Sequence, residues 1–193
     1  MRDAARALAA ASLVIAGTFA AQISAAVELD LEVEEQARAA SGGARYVHFA
    51  CHALVNERFP LNSAPALTIR ENPAEGQDNG LLQAWEIFER VRLDAELVTL
   101  SACDTARGKE IGGEGLMGLT RAFHYAGAPS VVSLWSVADE STAGLMTRFY
   151  GHLKRGATKD EALRKAQVEL ARRGGDASHP ARWAAFVLFG DWR

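Results

Sequence analysis

The stretch Leu97 to Leu116, LVTLSACDTARGKEIGGEGL, constrains the fold of this chain more than any other. Leu97-Val98-Thr99-Leu100 has the composition of a short buried strand, apolar and β-branched throughout and ending at small polar residues. It delivers Ser101-Ala102-Cys103-Asp104-Thr105 into a turn. A glycine-rich loop, Gly108 to Gly115, then leads to a helix that starts near Glu114. In an open α/β sheet, ligands and reacting groups gather at the carboxyl ends of strands, where loops are free of ladder bonds. A cysteine at such a place is either a buried filler or a nucleophile.

An earlier strand, Tyr46-Val47-His48-Phe49-Ala50, ends in the same manner and delivers Cys51-His52-Ala53. If the two strands are parallel neighbours, His52 and Cys103 stand side by side across the top of the sheet. That is the arrangement a thiol nucleophile with an imidazole partner requires. Cys51 alternates with His52 along the strand, so it points elsewhere and is structural. His48 is expected as a packed or hydrogen-bonded strand histidine. His124, His152 and His179 have no partners in sequence and are expected to face solvent.

Composition narrows the classes. A chain of 193 residues, 49% apolar and 23% charged, suits one soluble domain with a proper core. Its net charge of −3 offers no footprint for nucleic acid or an anionic membrane. Its two cysteines do not make a disulfide scaffold, which points to a reduced, cytoplasmic setting. No Cys/His/carboxylate spacing predicts a structural metal, and no cofactor is expected.

The first 26 residues, MRDAARALAAASLVIAGTFAAQISAA, have the outline of a signal peptide. Asp3 and the dominance of alanine over leucine favour instead a helix, Asp3 to Ala10, followed by a buried strand, Ser12 to Gly17. The apolar run is too short and interrupted to span a membrane. Ala25 to Ala40 is acidic, with a helical tail from Val33 that Ser41-Gly42-Gly43 breaks. Leu54 to Gly80 carries three prolines, which limits it to loop plus at most one short strand, with an extended patch at Ala66 to Ile69. It is a candidate substrate-binding rim.

Leu81 to Val91 has helical spacing. After the cysteine loop, Leu116, Leu119, Phe123 and Ala126 mark a one-faced helix that Gly127 terminates. Ser130 to Trp135 reads as a buried strand. A helix then begins at Asp139 or Ser141, with Leu145, Phe149, Tyr150 and Leu153 as its stripe and Gly156 at its end. Thr158 to Glu161 has the capping-box pattern and opens a helix through Leu163, Ala166 and Leu170. Ala184 to Phe189 is a last apolar strand. Alternating strand and helix predict an α/β fold with a mostly parallel sheet.

Several segments together resemble the CHAT domain, a caspase-like module often found beside tetratricopeptide repeats in bacteria. They are Tyr46 to His52, Leu100 to Thr105, Gly113 to Leu116, Arg121 to Phe123, Ala126 to Ala128, Ser133 to Asp139, Phe149-Tyr150, Ala162 to Arg164 and Trp183 to Leu188. The resemblance implies a three-layer caspase-haemoglobinase-like fold, a mostly parallel central sheet flanked by helices. Residues 45–193 would form the peptidase core, and residues 1–44 a divergent or truncated front part.

The resemblance further implies a cysteine endopeptidase with His52 and Cys103 as the catalytic dyad. Backbone N–H groups of Ala53 and Cys103 would then be the oxyanion donors. Asp139 and Asp104 are candidates for a carboxylate that holds a basic side chain before the scissile bond. For Asp139 the competing reading is a helix N-cap. Protein or peptide would be the substrate, and a tetratricopeptide-repeat protein a candidate regulatory partner. The family's histidine is normally followed by glycine. Ala53 at that place would cost on the order of 1 kcal/mol if the backbone needed a positive φ. The alternatives are a catalytically degenerate scaffold that binds a partner, or another thiol enzyme on the same fold.

Overall fold

A computed structural model describes residues 13–17, 45–67, 79–101, 103–104, 114–133 and 139–193. The expected helices at Asp3 to Ala10 and Val33 to Ala40, most of the glycine-rich loop, and Thr68 to Ile69 lie outside them.

The elements, in chain order, are β1 (Leu13–Gly17), β2 (Tyr46–Ala50), β3 (His52–Leu54), a 3-10 turn (Pro60–Asn62) and β4 (Ala64–Ala66). They continue with α1 (Ala84–Arg90), β5 (Leu97–Leu100), β6 (Cys103–Asp104), α2 (Glu114–Tyr125) and β7 (Ser130–Ser133). The chain closes with α3 (Asp139–Lys154), α4 (Lys159–Ala171), two 3-10 turns and β8 (Phe186–Phe189).

The main sheet has the order β1-β2-β5-β7-β8. Its inner strands β2, β5 and β7 are parallel, as expected, but both edge strands, β1 and β8, run antiparallel to their neighbours. Apolar periodicity locates a strand but is blind to its direction, which is why the sequence did not distinguish the edges. Strand alternation sends Val47, Phe49, Val98 and Leu100 into one apolar cluster with Ile87 of α1 and Leu119 and Phe123 of α2. Leu97 goes the other way, into a second cluster with Leu145 and Phe149 of α3, Leu163 and Ala166 of α4, and Phe186 of β8. Each fully buried side chain of this size contributes roughly 1.5–3 kcal/mol, so both faces of the sheet are held by their helices.

The local signals mostly act as the sequence implies. α2 begins at Glu114 and ends in a Schellman arrangement: Gly127, at φ +114°, donates to the carbonyl of His124, and Ala128 donates to that of Phe123. Within Leu54 to Gly80 the described residues, 54–67 and 79–80, hold the end of β3, a 3-10 turn and β4, and Pro65 sits in the edge strand β4, where a missing N–H is tolerated. Thr158 does precede α4, but it forms no capping box: its hydroxyl donates to Asp160 Oδ1 at 2.6 Å instead. The box occurs at α1, where Gln83 caps Glu86 and Glu86 Oε2 accepts from the Gln83 N–H at 2.8 Å. That helix accordingly starts at Ala84, later than the spacing from Leu81 implies.

The seat of α2 on the loop after β3 depends on glycine. A Cβ at Gly115 would stand 2.5 Å from a Val55 methyl and 2.8 Å from Ser63 Oγ, and one at Gly118 would stand 3.0 Å from the Pro60 carbonyl. Gly115→Ala is expected to destabilise the fold by about 1–3 kcal/mol through overpacking, read as a lowered urea midpoint. A midpoint equal to the parent's would show that the loop yields without cost.

His48 lies on the α3 side of β2, 7% exposed, its ring 5.8 Å from that of Tyr150. Tyr150 donates to Thr99 Oγ1 at 2.8 Å, and His48 Nε2 has no hydrogen-bond partner among the described residues. Burial pushes the imidazole down to about 4 from an ordinary 6.5. The unfolded chain therefore binds the extra proton. The stability due to the neutral ring is complete above pH 6.5 and is lost as pH falls towards 4, on the order of 3 kcal/mol in all. His48→Leu is expected to flatten the decline of the unfolding midpoint across that window. An unchanged slope would assign the acid sensitivity to other groups.

Candidate active site

Two parallel strands break at the same level and then resume. β2 pairs with β5 from Tyr46 opposite Leu97 to Phe49 opposite Leu100. Ser101 continues the ladder by donating to the Phe49 carbonyl at 3.0 Å. Beyond the break, β3 and β6 pair in parallel, with His52 opposite Cys103 and Ala53 opposite Asp104. The offset of 51 residues between partners is the same on both sides of the break. Four of the residues singled out from sequence thus stand on adjacent backbones, about 4.8 Å apart by ladder spacing. β4 completes this small sheet on the far side of β3, with Ala53 opposite Pro65.

His52 is half-buried, and its Nδ1 is enclosed with no hydrogen-bond partner among the described residues. A buried ring nitrogen left unpaired is costly. Ala53 is 3% exposed and lies in extended backbone; no described residue other than glycine has a positive φ. The strain that alanine would bear in place of glycine does not arise.

Cys51 falls in the apolar cluster with Val47 and Phe49, 7% exposed. Burial pushes its thiol up to about 12, outweighing the opposing Ala66 backbone hydrogen bond. A thiol so raised stays protonated at neutral pH, in line with its structural reading. Asp139 is the first residue of α3 rather than the cap before it. His124 and His179 are exposed, as expected. His152 is not: its side chain is 12% exposed and lies 2.8 Å from Glu169 Oε1, with its other nitrogen 2.9 Å from Arg155. Its partner comes from α4, across the helix pair, which inspection of its own helix does not reveal.

One polar contact joins the arm after His52 to the helix after Cys103. Glu57 Oε2 accepts from the backbone N–H of Glu114 at 3.1 Å and, at a longer 3.4 Å, from that of Gly115. The sequence placed a helix start near Glu114, but Glu57 carries no local signal, because the contact spans 57 residues. Among the described residues no three His, Cys, Asp or Glu side chains gather closely enough to hold a metal ion. Nor, among them, is any helix long and apolar enough to cross a membrane.

Over 111 residues the chain is 36% identical to mouse tetratricopeptide repeat protein 28, covering 57% of this chain and 4% of that one. With its human counterpart it is 29% identical over 140 residues, 68% of this chain and 6% of the relative. The chain therefore spans only a small fraction of these relatives' length, and both are named for repeats rather than for an enzyme activity. The sequence profile of the CHAT domain matches residues 3–191, nearly end to end. The chain belongs to the CHAT domain family.

Proposed function

We propose that this CHAT domain is a caspase-like cysteine endopeptidase acting through His52 and Cys103, with the three-layer caspase-haemoglobinase-type fold. The observation that carries this reading is the in-register pairing of His52 with Cys103 on neighbouring parallel strands. The unpaired, enclosed Nδ1 of His52 adds support.

In the proposed reaction the Cys103 thiolate attacks a peptide carbonyl, forming a C–S bond and a tetrahedral oxyanion. The backbone N–H groups of Cys103 and Ala53 stabilise that charge, commonly worth roughly 3 kcal/mol of barrier per donor. Collapse breaks the C–N bond, and the imidazolium of His52 gives its proton to the departing amine. Water, deprotonated by the now neutral His52, then hydrolyses the thioester and restores the thiol. Asp104, next to Cys103 and opposite Ala53, and Asp139 at the start of α3 are the proposed carboxylates for a basic side chain before the scissile bond. The core lies in residues 45–193, acts in the reduced cytoplasm and needs no cofactor. A tetratricopeptide-repeat segment is the proposed regulatory partner, a context that the names of the relatives support. Those names equally suit the second reading, a degenerate scaffold that binds its partner and cuts nothing.

The test is labelling by peptide electrophiles ending in Arg, Lys or Asp, read by intact mass. Cys103→Ala is expected to abolish labelling, and His52→Ala to slow it by about 10²–10⁴-fold. Preference for Arg or Lys would support the carboxylate pocket, while preference for Asp would overturn that part. Cys51, with its thiol near 12, should stay unmodified at pH 7; equal labelling of Cys51 would overturn the site assignment. A folded protein that takes no label, alone or with repeat segments added, would establish the scaffold reading.

A further inference from the structure

We infer that the outer face of the α3–α4 pair is a docking surface for an acidic peptide segment of a partner protein, received by Arg148 and Arg155; the inference stands apart from the proposed dyad. Between Thr142 and Arg173 the chain carries eight Lys and Arg against three Asp and Glu, in a molecule whose net charge is −3. The positive charge is therefore local to this helix pair. Arg148, His152 and Arg155 follow one another at helical spacing along α3. Glu169 of α4 meets the first two: its Oε2 lies 3.5 Å from Arg148 Nε, and its Oε1 lies 2.8 Å from His152 Nε2. Arg172 and Arg173, one turn beyond Glu169, are exposed and have no carboxylate partner among the described residues. One carboxylate thus stands among four arginines, and the face keeps an excess of positive charge.

Two of these guanidinium groups are held in place before any ligand arrives. Arg148 Nη1 donates to the Gly144 carbonyl at 2.7 Å. A guanidinium has no acceptor, so Arg155 Nη2 is the donor to His152 Nδ1 at 2.9 Å, and the Nε2–H of that ring is left to donate to Glu169. Both arginines lie back over a glycine four residues earlier. A Cβ at Gly144 would stand 3.6 Å from Arg148 Nη1, and one at Gly151 would stand 3.5 Å from Arg155 Nη1, with only the arginines' own nitrogens that near. Glycine inside a helix is destabilising relative to alanine, and packing against the rest of the fold does not call for it at either place. The holding bonds use only part of each fork's five N–H groups, so both forks can still receive a carboxylate. Arg155 lies seven positions after Arg148, about 10 Å along the helix axis. A polyproline-II segment brings every third residue back to one side about 9 Å further on, so carboxylates three positions apart match the two forks. A long polyanion fits less well, because its phosphates would cross Glu169 and meet a molecule of net charge −3. A peptide can offer N–H donors to Glu169 as well as carboxylates to the arginines.

The experiment uses the full chain and three fluorescent probes, with binding read by anisotropy at low salt. One probe is a peptide repeating Glu-Pro-Pro, which keeps its glutamates on one side of a polyproline-II helix. The second has the same composition with the glutamates in one block, and the third is a single-stranded oligothymidylate of the same charge. The repeating peptide is expected to bind best and to weaken as salt is raised. Arg148→Gln and Arg155→Gln are each expected to weaken it about tenfold. Arg148→Lys, which keeps the charge but not the fork, is expected to recover little. Arg164→Gln removes an exposed charge five positions before Glu169, on another side of α4, and is expected to leave binding unchanged. Unfolding midpoints are taken alongside, so that only folded variants are counted; Arg155 is exposed, and its loss disturbs no core contact. Equal binding of the two peptides, or an equal loss in Arg164→Gln, would overturn the fitted site and leave only diffuse charge. Tighter binding of the oligothymidylate, lost with the same arginines, would overturn the peptide reading in favour of a nucleic-acid surface. No binding of either peptide at about 1 mM would overturn the inference outright.

Discussion

The parallel ladder between the histidine arm and the cysteine arm is the constraint on which the rest of this domain depends. β2 and β5 are buried on both faces, which calls for near-continuous apolar runs rather than alternation, and Val47, Phe49, Leu97, Val98 and Leu100 supply them. Because the ladder resumes beyond the break without losing its register, the residues at the top are placed by the sheet below. Two short strands of three and two residues could not hold such an alignment alone. They inherit it from the helix-covered sheet beneath them.

A second constraint closes the arrangement from the side. The chain leaves β3 into a self-bonded loop, leaves β6 towards α2, and the two meet again where Gly115 and Gly118 let the helix settle against Val55, Ser63 and Pro60. The carboxylate of Glu57 occupies the N–H groups that α2 would otherwise show to solvent. An exposed carboxylate contact is weak when taken singly. Joined to close helix packing and a buried Ser63, it helps to seat α2 on the loop after β3.

Much of this was legible in the sequence, and the reasons are local. Leu97 to Leu100, Glu114 and Gly127 announce a strand, a helix start and a helix stop through residues whose preferences act within a few positions. The pairing of His52 with Cys103 followed from two strands ending alike, a likeness visible side by side. What escaped acts at a distance or in competition. Glu57 reaches 57 residues forward, and His152 meets a carboxylate on the next helix. At Thr158 the hydroxyl had a nearer carboxylate at Asp160 than the helix amides, whereas Gln83 forms a working box although glutamine is a poor advertisement for one. The directions of β1 and β8 depend on which edge each strand joins, and a strand's own residues carry no mark of that.

The unbroken register also makes the proposed dyad a matter of counting. His52 lies six positions after Tyr46, and Cys103 six positions after Leu97. Side chains alternate along a strand, so one residue inserted in either segment would turn the following positions to the opposite face. An equal insertion in both would restore the pairing while lifting it by one rung. The lengths of these two segments are thus tied to each other across the sheet, and drift in one is tolerable only when the other drifts in step.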